Sequence, residues 1–179
     1  MNLPNKLTVF RVILIPFFMI FMLTDWAGAA GGYIALGIFI IASLTDMLDG
    51  KIARKRNLVT NFGKFMDPIA DKLLVSSALI LFVKLGRLPA WIVVILIARE
   101  FIISGFRLVA SDAGVVLAAG IWGKLKTAFQ MIMCCFLIID LDFKAVNVIE
   151  QVLIYTSLAL SVISLFDYLI RNRKLIADK

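Results

Sequence analysis

Long apolar stretches, separated by short segments with charges or helix breakers, dominate the sequence. Each stretch has roughly 18 or more residues, the length that an α-helix needs to cross about 30 Å of hydrocarbon. Backbone groups that face lipid must form their hydrogen bonds within the segment, so these stretches are predicted to be helices. The stretches lie at about residues 7–24, 31–56, 64–84, 89–111, 120–140 and 146–170. The pattern predicts an all-α, polytopic membrane protein with six transmembrane helices.

The composition supports a membrane protein and a single domain over residues 1–179. The hydrophobic share is 62% and the mean hydropathy is +1.00, and a soluble domain of this length could not bury so much apolar surface. The first stretch, which follows Lys6 and precedes Ala27-Gly28-Ala29, has some features of a signal peptide. Because five further stretches follow, we interpret it as a retained helix.

Lysine and arginine residues are distributed unevenly between the two ends of the predicted helices. With six spans both termini share a side, and sixteen of the nineteen basic residues fall on that side or on helix ends facing it. Because cytoplasmic loops have an excess of basic residues, both termini are predicted to be cytoplasmic. The net charge of +7 would attract anionic lipids and substrates, whereas its spread along helix ends disfavours nucleic acid as a partner.

Two pairs of aspartates occur near the predicted cytoplasmic end of neighbouring helices. Asp46 and Asp49 are three residues apart, and Asp67 and Asp71 are four apart, so each pair occupies one face of a helix. A short link at about 56–63 predicts an antiparallel hairpin. Both pairs are therefore expected to converge on one site.

Four converging carboxylates repel one another unless positive charge or protonation offsets them. Two hard divalent cations would do so and leave coordination positions for phosphate oxygens. The sequence contains no histidine, so carboxylates are the plausible metal ligands. The alternative is a set of buried ion pairs with a structural role, but ionisable groups within membrane spans are costly and usually functional.

The same segment resembles the signature of the CDP-alcohol phosphotransferase family. It reads D-x2-D-G-x2-A-R-x8-G-x3-D-x3-D from Asp46 to Asp71, with all eight signature positions present. The resemblance implies that Asp46, Asp49, Asp67 and Asp71 bind two divalent cations, Mg2+ or Mn2+, and that Asp71 is also the catalytic base. It further implies a homodimer and a CDP pocket lined by Thr8, Gly50, Ala53, Arg54 and Gly63.

Three other segments narrow the resemblance to one branch of the family. Residues 3–11, 98–107 and 123–127 are similar to the members that join CDP-diacylglycerol to sn-glycerol 3-phosphate. That reaction yields phosphatidylglycerophosphate and CMP. The resemblance implies a multi-pass enzyme of the cell membrane, with its active site on the cytoplasmic side.

A cluster of basic residues independently favours a phosphorylated acceptor. Arg99, Arg107, Lys124 and Lys126 fall toward the cytoplasmic ends of the fourth and fifth predicted helices. Lysines there could extend to lipid headgroups, but an arginine inside an apolar stretch is harder to explain in that way. We predict that the four residues bind the acceptor phosphate and that Glu100 pairs with one of these bases.

Several other functions are compatible with parts of the pattern. A related enzyme could use inositol phosphate, serine or phosphatidylglycerol as its acceptor. An intramembrane prenyltransferase also uses aspartate pairs with magnesium, but it would place them on distant helices. A cation transporter would place ionisable residues near mid-membrane and often shows an internal repeat, and neither feature is apparent.

Overall fold

The computed structural model describes the backbone of residues 3–55, 61–112, 114–115 and 120–173. It describes the side chains of residues 5–45, 69–111, 114–115 and 120–173. These parts of the chain contain helices and no strand, which confirms the all-α prediction. The helices are α1 (Leu3–Leu23), a 3-10 helix (Asp25–Ala30), α2 (Gly31–Lys55), α3 (Asn61–Lys84), α4 (Ala90–Asp112), α5 (Ile121–Ile139) and α6 (Lys144–Arg171).

Four segments within the described residues are long and apolar enough to cross a membrane. They are Asn5–Leu23, Asp25–Thr45, Ile121–Ile139 and Lys144–Arg171. Helix α4 has sufficient length, but Arg99, Glu100 and Arg107 interrupt its apolar sequence. The described side chains of α3 begin only at Ile69.

The chain divides into two compact units. Unit 1 comprises residues 1–87 together with 138–140, and therefore contains α1, the 3-10 helix, α2 and α3. Unit 2 comprises residues 88–137 and 141–179, and contains α4, most of α5, and α6.

In unit 1, α1 and α2 form an antiparallel hairpin around the short 3-10 helix. The rings of Phe18 and Phe39 are fully buried between them, with their centroids 5.9 Å apart. Close to the turn, a Cβ atom on Gly31 would lie 3.2 Å from the carbonyl oxygen of Phe21. Glycine at this position therefore allows the two backbones to approach closely, as is common between membrane helices.

The end of α5 and the residue after it, which belong to unit 1, contact Arg87 through a carbonyl group and an ion pair. Arg87 lies 2.7 Å from the carboxylate of Asp140, and its Nη1 donates to the Ile138 carbonyl at 3.4 Å. The same carbonyl oxygen lies 3.3 Å from the position of a Cβ atom on Gly32. The residues just after α3 and at the start of α2 therefore adjoin, so α2 and α3 are antiparallel.

In unit 2, each helix buries one stripe of side chains at helical spacing, and each stripe contains polar groups. On α6 the buried residues follow one another at intervals of three and four from Leu153 or Ile154 to Tyr168. The buried polar side chains are Arg99 on α4, Lys126 and Gln130 on α5, and Ser157, Ser161 and Ser164 on α6.

Replacement of Phe18 by alanine is expected to destabilise unit 1. Because membrane lipid is as apolar as a phenylalanine side chain, transfer of the ring between lipid and the helix interface contributes little to stability. The expected loss in the free energy of unfolding therefore comes mostly from the cavity left beside Phe39, and it is on the order of 2 kcal/mol. Thermal unfolding of the purified protein in detergent measures this effect. Phe17→Ala is the matched control because the neighbouring ring is half exposed, and equal melting temperatures for the two variants would contradict the packing described.

Candidate functional site

The buried stripe of α1 changes from polar to apolar along the helix. Asn5, Thr8 and Arg11, spaced three residues apart, are all buried near its start. Their successors on the same stripe, Ile15 and Phe18, are apolar. Polar groups are costly to bury unless they have partners, and all three polar residues have an interaction partner. The interior of unit 1 is therefore polar at the end where α1 begins.

The helix register places this polar end of α1 beside the aspartate motif. Phe18 on α1 contacts Phe39 on α2. Thr8 precedes Phe18 by ten residues, and Asp49 follows Phe39 by ten residues. Because the two helices are antiparallel, both positions lie about 15 Å from this contact in the same direction. Thr8 therefore lies at the level of Asp49, within one turn of Asp46.

Helix α3 brings the second aspartate pair to the same level. Asp46 and Asp49 are nine and six residues before the last residue of α2, and Asp67 and Asp71 are six and ten residues after the first residue of α3. At 1.5 Å per residue these positions lie about 9–15 Å from the adjoining ends of two antiparallel helices. The four aspartate positions therefore lie at about the same level along α2 and α3.

Only one of the four predicted metal ligands has a described side chain. Asp71 is exposed on α3 and has an interaction partner. No group of three or more potential ligands occurs among the described side chains. The remaining predicted ligands and most of the predicted CDP pocket lie outside the described side chains: Asp46, Asp49, Gly50, Ala53, Arg54, Gly63 and Asp67.

Unit 2 brings two of the four predicted phosphate-binding residues together. Glu100 accepts from Nη1 of Arg99 at 2.8 Å, and its same oxygen accepts from the ammonium group of Lys126. Arg99 and Lys126 are 7% and 2% exposed, so both cations are buried. The pairing predicted for Glu100 is thus confirmed, and it extends to two bases. Two cations share one carboxylate, which leaves one positive charge in excess.

The other two residues of the predicted basic cluster are exposed. Arg107 and Lys124 form no ion pair or hydrogen bond with any side chain in the described part of the chain. The structure therefore joins Arg99 and Lys126 through Glu100, and it does not connect Arg107 or Lys124 to them.

Two polar residues that contribute to these interiors were not predicted from the sequence. Asn5 extends the buried polar stripe of α1, and Ser164 accepts a hydrogen bond from Nε of Arg99 at 3.0 Å. The spacing of Asn5, Thr8 and Arg11 is a signal that could have identified the first. Ser164 is 65 residues from Arg99 in the chain, so no local pattern indicates that contact.

Comparison with known proteins supports the family resemblance that was predicted from the aspartate motif. The family model for CDP-alcohol phosphatidyltransferases matches residues 1–163, which includes all of unit 1 and most of unit 2.

This chain belongs to the CDP-alcohol phosphatidyltransferase family.

Relatives within this family are similar over almost the whole chain. A Bacillus subtilis protein named CDP-diacylglycerol--glycerol-3-phosphate 3-phosphatidyltransferase is 45% identical over 96% of this chain and 95% of its own length. A Rickettsia typhi protein of the same name is 35% identical, covering 93% of this chain and 94% of its own. A Mycobacterium tuberculosis protein named probable phosphatidylglycerophosphate synthase is 37% identical, covering 95% and 81%.

Replacement of Glu100 by glutamine is expected to destabilise the protein. The change leaves Arg99 and Lys126 buried without their counter-charge, and removal of one partner from a buried ion pair costs about 3 kcal/mol. Thermal unfolding in detergent measures the loss. The double variant Glu100→Gln/Lys126→Met should recover part of it, because one of the two cations is also removed. Equal stability of the single variant and the wild type would show that the ion pairs contribute nothing.

Proposed function

We propose that this chain transfers the phosphatidyl group of CDP-diacylglycerol to sn-glycerol 3-phosphate, giving phosphatidylglycerophosphate and CMP. The observation that carries the proposal is the near full-length similarity to relatives whose names state this activity. The cationic cluster of unit 2 supports it, because a buried excess of positive charge suits an acceptor that bears a phosphate group.

The proposal includes the arrangement in the membrane. Residues 1–179 form one catalytic domain with six transmembrane helices, cytoplasmic termini and an active site on the cytoplasmic side of the cell membrane. The distribution of basic residues supports the orientation. The family resemblance further implies a homodimer.

Two divalent cations, Mg2+ or Mn2+, would be held by Asp46, Asp49, Asp67 and Asp71. The ligand set fits such ions because carboxylate oxygens are the donors that hard cations prefer, and because the four positions occupy one level of the α2–α3 pair. When bound, the ions would offset negative charge on the phosphoryl oxygens.

The remaining predicted residues divide between the two substrates. The nucleotide of CDP-diacylglycerol would contact the CDP pocket, and the burial of Thr8 at the level of the motif supports its inclusion there. In unit 2, Arg99 and Lys126 would bind the acceptor phosphate from the buried cluster, and Arg107 and Lys124 would contribute from the surface. The CDP pocket comprises Thr8, Gly50, Ala53, Arg54 and Gly63.

The chemical step requires one proton acceptor from the chain. Asp71 accepts the proton of the 1-hydroxyl group of glycerol 3-phosphate, and the hydroxyl oxygen attacks the phosphorus atom that bears the diacylglycerol. A new phosphorus–oxygen bond forms, the bond to the CMP phosphate breaks, and CMP leaves. Binding of the acceptor through its remote phosphate contributes by positioning the hydroxyl.

Release of CMP from CDP-diacylglycerol tests the proposed acceptor and the metal requirement together. The purified protein is supplied with sn-glycerol 3-phosphate, inositol phosphate, serine or phosphatidylglycerol, with and without chelator. Of the four acceptors, we expect only glycerol 3-phosphate to support CMP release. The chelator should abolish this release, and added Mg2+ or Mn2+ should restore it. Preference for another alcohol would contradict the acceptor assignment, and full turnover after complete metal removal would contradict the metal site.

Replacement of Asp71 by asparagine tests the proposed base. Loss of general-base catalysis should lower kcat by about 10²–10⁴-fold, with a smaller change in the KM for glycerol 3-phosphate. The matched control is Asp142→Asn, an exposed aspartate outside the motif, which should retain wild-type kcat. If Asp71→Asn bound metal and substrates normally and kept full activity, the base assignment would be wrong.

A further inference from the structure

Two of the three guanidinium nitrogens of Arg99 form hydrogen bonds with neighbouring side chains. Its Nε donates to the hydroxyl oxygen of Ser164 on α6 at 3.0 Å, and its Nη1 donates to Glu100 at 2.8 Å. The hydroxyl of Ser164 itself donates to the carbonyl of Ser161 at 2.9 Å. Because the only hydroxyl proton is committed to that carbonyl, the oxygen of Ser164 presents its lone pairs to Arg99.

The third nitrogen of Arg99 points toward a position that has no side chain. Nη2 forms no hydrogen bond with any described residue, and a Cβ atom on Gly123 would lie 3.4 Å from it. Lys126 follows Gly123 by three residues and therefore lies on the same face of α5. The Gly123 gap thus lies beside Nη2 of Arg99 and on the face of α5 that contains Lys126.

Charge balance indicates what this gap accommodates. Arg99 and Lys126 share the single negative charge of Glu100, so the buried cluster retains one uncompensated positive charge. An uncompensated buried cation is costly, and an anion at the free edge of Arg99 would neutralise it. Arginine is also the side chain best suited to planar, charge-assisted contacts with phosphate oxygens.

Helix stability does not explain the glycine at this position. Gly123 is in the first turn of α5, glycine is a poorer helix former than alanine, and a Cβ atom at 3.4 Å would only be in ordinary contact with Arg99. The side chain of alanine would, however, occupy the space through which a ligand oxygen reaches Nη2. The glycine therefore has a role in access rather than in packing.

We infer that Ser164 and Gly123 are positioning residues for the acceptor phosphate: Ser164, together with Glu100, fixes the Arg99 guanidinium, and Gly123 keeps the approach to its Nη2 open. The inference rests on the proposed function and deepens it. It assigns the phosphate of the acceptor to a specific edge of Arg99 within unit 2.

The variant Gly123→Ala tests access to Nη2 in the full-length enzyme. We expect the KM for sn-glycerol 3-phosphate to rise about tenfold, the loss typical of one charge-assisted hydrogen bond, with the KM for CDP-diacylglycerol unchanged. The melting temperature should stay the same or rise, because alanine is the better helix former. Gly105→Ala on α4, where a Cβ atom meets nothing within 4 Å, is the matched control and should keep the wild-type KM.

The variant Ser164→Ala tests the orientation of Arg99. Glu100 still holds Nη1, so we expect a smaller rise in the KM for glycerol 3-phosphate, about fivefold, again with the KM for CDP-diacylglycerol unchanged. Ser164→Thr keeps the hydroxyl group and should restore most of the affinity. Ser157→Ala is the control, since that buried hydroxyl has no hydrogen-bond partner among the described residues.

The possible results separate this inference from the proposed function. If the wild type releases CMP with glycerol 3-phosphate but Gly123→Ala and Ser164→Ala keep its KM within twofold, the inference alone is wrong. It is also wrong if the variants raise both KM values alike or lose activity with a lowered melting temperature, because those results indicate a structural role. If the wild type does not use glycerol 3-phosphate, the proposed function fails, and the inference fails with it.

Discussion

The cost of placing charged groups within apolar helices is the constraint on which the rest of this structure depends. An isolated ion in such surroundings is strongly unfavourable, so each buried charge must have a partner. In unit 2 the carboxylate of Glu100 meets this requirement for Arg99 and Lys126 together. One carboxylate cannot neutralise two cations, so one positive charge remains. This charge makes the cluster suited to an anionic ligand as well as to helix packing.

The same constraint explains the interior of unit 1. The buried stripe of α1 is polar only over its first turns, at the level where α2 and α3 contain the aspartate motif. Farther along the hairpin the buried residues are apolar, as the contact of Phe18 with Phe39 illustrates. Among the described residues of unit 1, the buried polar side chains thus lie at one end, the end at which the substrates and metal ions of the proposed reaction would bind.

Much of the fold and part of the site could be predicted from local patterns. Apolar stretches of sufficient length become helices because lipid offers the backbone no other hydrogen-bond partners, and each predicted stretch coincides with a helix. The spacing of Asp46 and Asp49 places both on one helix face for the same local reason. The contact of Arg99 with Ser164 could not be predicted in this way, because it joins residues far apart in the chain and serine has no strong positional signal.

By itself, the sequence determined the helices, the aspartate motif and hence the family, because these depend on backbone chemistry and on short-range spacing. Only the tertiary structure decided which charges share a partner: it paired Glu100 with two bases at once and left Arg107 and Lys124 at the surface. It also placed the backbone of Gly123 beside Nη2 of Arg99. The physical reason is that such contacts depend on how helices pack and rotate against one another, which is set by many side chains collectively and by no single segment.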